Sequence, residues 1–226
     1  ETSELNSNFF ELIKVLDNLD LDLRFRISSI EPNLLSDEII SFISTSKKFV
    51  PHFHIPLQSG SDTILRLMRR RYDTKLYRSR IEKIKRLMPE ACIGVDVIVG
   101  FPGEDDDLFL ETMYFLESLN ISYLHVFSYS ERDNTHAKSL PKIVKSSERS
   151  KRSKLLRLLS SRKKSSFYKL NLGTIHDVLF ESEEKDGFIE GFSSNYIRFR
   201  RPWDPSLSGE IIKSIFTGID EEGFAV

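Results

Sequence analysis

The stretch HFHIPLQSGSD, His52–Asp62, holds the densest set of groups that could do chemistry. An apolar run ends, a Ser/Gly turn follows, and a helix can start at or near Asp62. Gln58, Ser59 and Ser61 offer amide and hydroxyl groups at that turn, and Gly60 permits a close backbone approach. A Ser/Asp helix cap would use the same residues without a ligand, so both readings stay open. In VDVIVGFPGE, Val95–Glu104, the residues Gly100, Pro102 and Gly103 make a tight turn against which a flat aromatic group could lie; a plain strand-to-helix turn is the alternative. FSYSERDNTHA, Phe127–Ala137, puts Ser128, Ser130, Glu131 and Arg132 in a loop, and RISSIEP, Arg26–Pro32, puts Glu31 at a strand end. His52 and His54 form an H-x-H pair that could hold zinc. No Cys, Asp or third His stands nearby in sequence to complete such a set, so no metal role is expected of the pair.

These residues need elements to carry them. The first ~140 residues alternate strand-like runs (Arg24–Ile30, His52–Leu57, Ile93–Val99, Tyr123–Tyr129) with helical patterns. Phe9, Phe10, Ile13, Leu16 and Leu19 share one helical face, and Ser36 opens a second helix. Thr74–Met88 and Asp105–Leu119 follow, the latter with acids in its first turn, where the helix dipole favours them. Strands separated by helices imply a parallel sheet. Strands buried on both faces would read as continuous Val/Ile/Leu, yet polar residues recur here at alternate positions: Arg24, Arg26 and Ser28; His52 and His54; Asp96; His125. That period implies a wet lumen and hence an open or partial (β/α) barrel, the alternative being scattered polar residues satisfied locally. A complete barrel takes about 250 residues. Only four strand–helix units fit, and the chain opens on a helix, so it is expected to start inside a barrel. Residues 142–172 read as a basic helix with Leu155, Leu156, Leu158, Leu159 and Phe167 as its apolar stripe. Short β-rich runs over 173–226, split by EEKDG, SSN and WDPSLSG, predict a small antiparallel β-barrel.

Composition narrows the class. The 226 residues are 39% hydrophobic and 30% charged, as in a soluble globular chain. No apolar run is long enough for a membrane span, and the start, ETSELNSNFF, is not a signal peptide. The single cysteine, Cys92, excludes an internal disulfide framework and an all-cysteine metal or iron–sulfur site built by this chain alone. It sits in an apolar run and reads as a small buried hydrophobe. Together these features favour the cytoplasm. Net charge is −1, but ten basic residues and one acid lie between Lys142 and Lys164, whereas eleven acids face five bases from Gly173 onward. The basic stretch is the part suited to a polyanion.

In this order, RISSIEP, HFHIPLQSGSD with the following MRRRY, IGVDVIVGFPGE and FSYSERDNTHA resemble the methylthiotransferase family of radical-SAM enzymes. The final ~50 residues are similar to that family's RNA-binding TRAM domain. Within the family, RISSIEP and HIPLQSGSD with MRRRY look most like the branch acting on N6-threonylcarbamoyladenosine beside the tRNA anticodon, rather than those acting on isopentenyladenosine or a ribosomal protein. The resemblance implies residues 1–141 as the C-terminal half of a radical-SAM partial (β/α) barrel, 142–172 as a basic helical linker and 173–226 as a TRAM-like β-barrel. It implies S-adenosylmethionine (SAM) as cofactor, with Gln58, Ser59 and Ser61 on the ribose side, Ile98, Val99 and Gly100 facing adenine, and Phe127 and Ser128 giving a last-strand contact. It also implies 4Fe–4S clusters whose cysteine ligands lie outside this chain, fed by a reductant. The implied chemistry is reductive SAM cleavage, hydrogen abstraction from adenine C2, sulfur insertion and methyl transfer from a second SAM; no turnover is expected from this polypeptide alone. Where the family usually carries a Pro-Gly-Thr-Pro-like sequence after its last Ser-x-Arg, this chain has Asp133-Asn134-Thr135-His136.

The expected partner is the tRNA anticodon loop. Glu31 and Arg132 would face substrate, with Arg132 a partner for phosphate or carboxylate. Arg162, Lys163 and Lys164 of the basic helix would meet the RNA backbone. Arg198, Arg200 and Arg201, among Tyr196, Phe199 and Trp203, would suit an unstacked nucleotide. An ordinary amphipathic strand with Trp203 in the core is the alternative. Two competing functions are a non-catalytic RNA-binding module and an unrelated barrel enzyme taking a phosphorylated metabolite at the Ser-Gly-Ser turn.

Overall fold

Helix starts are written locally. Asn8, Ser36, Asp73 and Asp105 each accept a hydrogen bond from the backbone N–H three residues on, which satisfies one of the orphan donors of a first turn. The computed structural model describes residues 8–21 and 23–226. Its first part runs α1 (Phe9–Asp17), β1 (Phe25–Ile27), α2 (Asp37–Ile43), β2 (Phe49–His54), α3 (Asp62–Leu67), α4 (Thr74–Leu87), β3 (Cys92–Val99), α5 (Asp106–Ser118) and β4 (Tyr123–Ser128). The second runs α6 (Ser146–Leu170), β5 (Ile175–Lys185), β6 (Phe188–Ser193), β7 (Arg198–Pro202) and β8 (Ile211–Ile215). No helix of the described residues is long and apolar enough to cross a membrane.

β1–β4 pair in parallel and in sequence order. A doubly wound sheet reverses its strand order at a switch point; this one does not, which is how a barrel wall is wound. One sheet face buries Ile27, Phe53, Ile93, Val95, Val97, Val99 and Leu124 against Ile39, Ile40, Tyr77, Ile81, Phe109 and Leu116 of the helices. The other carries Arg26, His54, Asp96 and His125, the polar period expected of a lumen.

Strand bounds differ from the sequence reading: β1 stops at Ile27 instead of Ile30. β2 runs Phe49–His54 instead of His52–Leu57. Pro56 has no N–H to give the ladder, and Gln58 takes a φ of 70°, so pairing lapses and then resumes. Gln58 N–H donates to Asp96 O at 2.8 Å and Gln58 O accepts from Ile98 N–H at 2.9 Å. The helix stripe is also narrower than expected. Leu156, Leu159 and Phe167 are buried, but Leu155 and Leu158 are exposed, because adjacent leucines on a 3.6-residue helix cannot all face one side.

α6 lies along β4. Ser160 Oγ accepts from Leu124 N–H at 2.8 Å and donates to Leu124 O at 3.0 Å, covering the strand's open edge. The helix is therefore a structural wall of the first domain as well as a connection. After it, β7-β6-β5-β8 form an antiparallel curled sheet. Its edges are bridged by the C-terminal tail, where Ala225 N–H donates to Arg198 O and Val226 N–H to Gly218 O. The core of this curl (Val178, Phe180, Ile189, Phe199, Phe216) is shared with Phe167 and Tyr168 of α6 and with Cys92. The small sheet packs at the starts of the parallel strands: Arg24 pairs with Asp177 at 3.3 Å, and Asn195 Nδ2 donates to Glu90 O at 3.1 Å.

Candidate site at the strand ends

The carboxyl ends of β3 and β4 and the segment that closes α3 meet at a cavity of about 640 Å³ lined by Leu67, Met68, Ile98, Phe101, Phe127 and Ser128, with Arg69, Arg70 and Arg132 at its margin; Gln58 lies outside this lining. Ile98, which the resemblance sets facing adenine, and Phe127 and Ser128, which it sets as a last-strand contact, thus share one wall. Beneath it the turn after β3 is held rigidly. Gly100, at a φ of 75°, donates its N–H to Glu104 Oε1 at 2.9 Å. Glu104 is buried and paired with buried Arg152 of α6 at 2.7 Å. A Cβ at Gly100 would meet Arg149 Cγ at 2.3 Å, so only glycine fits both the torsion and the space. Arg149 in turn donates to Tyr129 O at 2.8 Å, tying the β4 exit loop to α6. Val99 and Gly100 are buried and can present only backbone to a ligand.

The Ser-Gly-Ser turn divides differently. Ser59 and Ser61 are buried, and Ser61 Oγ has no hydrogen-bond partner. Ser59 Oγ bonds Thr112 Oγ1 of α5 at 3.0 Å, and Gly60 sits where a Cβ would strike the Thr112 backbone at 2.8 Å. Ser59 and Gly60 dock α5, and of Gln58, Ser59 and Ser61 only Gln58 is half-exposed at the strand end. Behind them, Tyr72 Oη donates to Leu57 O at 3.0 Å and Tyr77 Oη to Ile55 O at 2.7 Å, bracing the broken end of β2. Two distant motifs also meet here, since Arg70 of MRRRY pairs with Glu31 of RISSIEP at 3.0 Å.

The expected RNA-facing residues separate into two groups. Arg132 borders the cavity and is exposed. Arg162, Lys163 and Lys164 lie on the far half of α6. Lys163 donates to Glu117 O at 2.7 Å and Leu119 O at 2.5 Å, closing the end of α5. Arg198 pairs with Glu190, and Arg200 pairs with Glu222 at 2.8 Å. Arg201 packs over the Phe180 ring. Much of the positive charge counted in the sequence is therefore spent inside the protein, Arg152 included. A second, polar groove that the sequence reading missed adjoins the cavity: Ser128 and Tyr129 on one side, Ser150, Ser153, Lys154 and Arg157 of α6 on the other. Their helical spacing, Ser150-Ser153-Lys154-Arg157, was a legible signal of one face.

His52 and His54 do not act as a pair. His52 is buried at the foot of the sheet, with Nε2 at 3.1 Å from Tyr123 Oη and its ring against Tyr196. Burial, then the nearby Arg26 charge, pushes it down to about 3, so the imidazole stays neutral. His54 Nε2 lies 2.8 Å from Asp96 Oδ1.

A sequentially wound parallel sheet with helices on one face and a cavity at its carboxyl ends defines a barrel-type α/β domain. The chain belongs to the radical SAM superfamily, which matches residues 1–116. It is 36% identical over 211 residues to the threonylcarbamoyladenosine tRNA methylthiotransferase of Bacillus subtilis, covering 91% of this chain and 47% of that protein. It is 39% identical over 188 residues to the tRNA-2-methylthio-N(6)-dimethylallyladenosine synthase of Wolinella succinogenes, covering 81% and 43%. The chain thus spans about half the length of the curated relatives it matches. A solved structure of coproporphyrinogen III oxidase from Escherichia coli aligns at 16% identity with a TM-score of 0.49, over 71% of this chain and 36% of that one.

The residues present fit one of the superfamily's groups and not the other. The sole cysteine, Cys92, is buried in β3 and its thiol is pushed up to about 12 by burial, so this chain offers no thiolate set for a 4Fe–4S cluster. SAM fits better. Ile98 and Phe127 give one apolar wall beside a turn whose backbone can be approached closely, and Tyr129 Oη and Arg70 Nε among the lining residues lack hydrogen-bond partners.

Proposed function

We propose that this chain is the part of a radical-SAM tRNA methylthiotransferase that holds SAM's nucleoside at the strand ends and carries RNA-binding surface beside it. The carrying observation is the convergence of Ile98, Phe127 and Ser128 on one cavity flanked by the basic groove of α6, in a chain whose relatives are tRNA methylthiotransferases. When bound, SAM supplies the methyl group that is transferred. This chain's residues bind and orient: Ile98 and Phe127, side by side on adjacent strands, give one apolar wall for a flat base, Gln58 and Ser128 offer polar contacts to a ribose, and Val99 and Gly100 present backbone. Arg132 receives an anionic group of the substrate, and Lys154 and Arg157 engage RNA phosphates next to the opening. The curled sheet is read as a TRAM-like module and contributes a more distant contact through Arg201, alongside Arg162 and Lys164 of α6.

The preferred substrate is N6-threonylcarbamoyladenosine beside the anticodon, supported by the Bacillus subtilis relative and by the Glu31–Arg70 pair that joins RISSIEP to MRRRY. The Wolinella succinogenes relative favours dimethylallyladenosine as the second reading. Mass spectrometry of tRNA nucleosides from a strain lacking the gene decides between them. Loss of the methylthio group from threonylcarbamoyladenosine alone is expected; its loss from the dimethylallyl nucleoside selects the second reading, and no change in either rejects both.

A further inference from the structure

The lumen face holds ligating side chains that the cavity and the basic groove do not use. His54 ends β2, Asp96 lies mid-β3 and His125 lies in β4. Parallel pairing sets Asp96 opposite His125 and His54 opposite Gly94, one pleat back. All three side chains therefore leave three adjacent strands on the same face. One ligand atom from each of His54, Asp96 and His125 lies within 4.8 Å of the others.

The arrangement has an oriented imidazole. Ser29 Oγ lies 3.1 Å from His54 Nδ1, which leaves Nε2 aimed at the carboxylate. A metal-binding histidine is commonly fixed through its other ring nitrogen in this way. Ser29 itself sits at a φ of 57°, a left-handed conformation uncommon outside glycine, and this turn brings its hydroxyl back to the lumen. The His54 and Asp96 side chains are 14% and 19% exposed, so an ion there would meet few competing waters. His125 stands on the open side. The His54–Asp96 contact of 2.8 Å need widen only to roughly 3.3 Å for both atoms to bind one tetrahedral ion at ordinary bond lengths.

We propose that His54, Asp96 and His125 form a binding site for one divalent first-row transition ion, with Ser29 positioning His54. Two imidazoles and one carboxylate suit zinc or ferrous iron better than magnesium or calcium, which prefer all-oxygen shells. Three protein ligands leave coordination open toward the lumen, where a solvent or substrate donor can complete the shell. This site is independent of the SAM assignment and of the methylthiotransferase reading.

The test is direct binding to the purified chain. After chelator treatment, the chain is titrated with Co²⁺, followed by its visible d–d bands, and with Zn²⁺ in competition with a chromophoric chelator. One equivalent of each is expected. His125→Ala, at an exposed position, should keep the wild-type melting temperature and weaken Zn²⁺ binding by more than about 100-fold. Ser29→Ala should weaken it by about 10-fold, as loss of an orienting partner does. Asp96→Asn should abolish the Co²⁺ bands, and His136→Ala should change nothing. Substoichiometric binding by the wild-type chain, wild-type affinity in His125→Ala, or loss of binding in His136→Ala would each overturn the proposal. Binding unmoved by Ser29→Ala would remove Ser29 from it.

Discussion

At the carboxyl ends of β3 and β4, Arg132, Lys154 and Arg157 stand exposed around a cavity and the groove beside it. At the amino ends of the same sheet, Arg24 is held by Asp177 and Ser194. Just beyond, in the curled sheet packed there, Arg198 is held by Glu190 and Arg200 by Glu222, Asp220 and Glu190. His52, Tyr123, Tyr196 and Phe192 stack into an aromatic seal over that end. The same residue types thus serve as free surface at one end and as joinery at the other. A count of basic residues along a chain cannot separate these uses, because pairing depends on which acids arrive from elsewhere. The tail that reads as acidic in sequence supplies several of those acids.

Three experiments bear on this contrast. The largest effect belongs to the base of the open end. Replacing Arg152 by Met strands Glu104 in a site where its side chain is 1% exposed. Removing one partner of a buried pair costs about 3–5 kcal/mol. The low end is expected, because Asp106, which shares the guanidinium at 2.7 Å, lies largely in solvent. Urea unfolding measures it, and a loss under about 1 kcal/mol would mean that the turn under the cavity is not held by this pair.

Next comes the sealed end. His52 is pushed down to about 3 from an ordinary 6.5, chiefly by burial. An unfolded chain takes up a proton on this ring below about pH 6.5 and the folded chain does not. The stability it contributes is therefore complete above pH 6.5 and falls as pH drops toward 3, by at most about 1.4 kcal/mol per pH unit. Unfolding free energy measured from pH 7 to pH 4 should show this slope, and His52→Gln should flatten it. An unchanged slope would show the seal to be wet.

The smallest effect compares the two ends in RNA binding. Lys154→Ala and Arg157→Ala should each reduce the slope of log affinity against log salt for tRNA by about 0.7–0.9, as loss of one phosphate contact does. Arg198→Ala and Arg200→Ala should leave that slope unchanged, since their charges already face carboxylates. The reverse pattern would move the RNA to the curled sheet.

Much of the fold was legible because its signals are local. Ser36, Asp73 and Asp105 cap the helices they precede, and β3 and β4 begin and end within one residue of the apolar runs that predict them. The alternation of polar residues named the lumen face, since side-chain direction in a strand is fixed by parity. The candidate site was half legible. Ile98, Phe127 and Ser128 fall where barrel strands end, but Ser59 was assigned to the opening from residue type, and α5 engages it by supplying Thr112.

The sequence by itself determined the elements, the strand faces and the absence of a cysteine set, because caps, periodicity and composition act within a few residues. Only the tertiary structure decided which charges are free, that Gln58 breaks β2, and that His54 meets Asp96 and His125 instead of His52. Those outcomes depend on partners brought from distant strands by parallel pairing, and no window along the chain contains both members of such a contact.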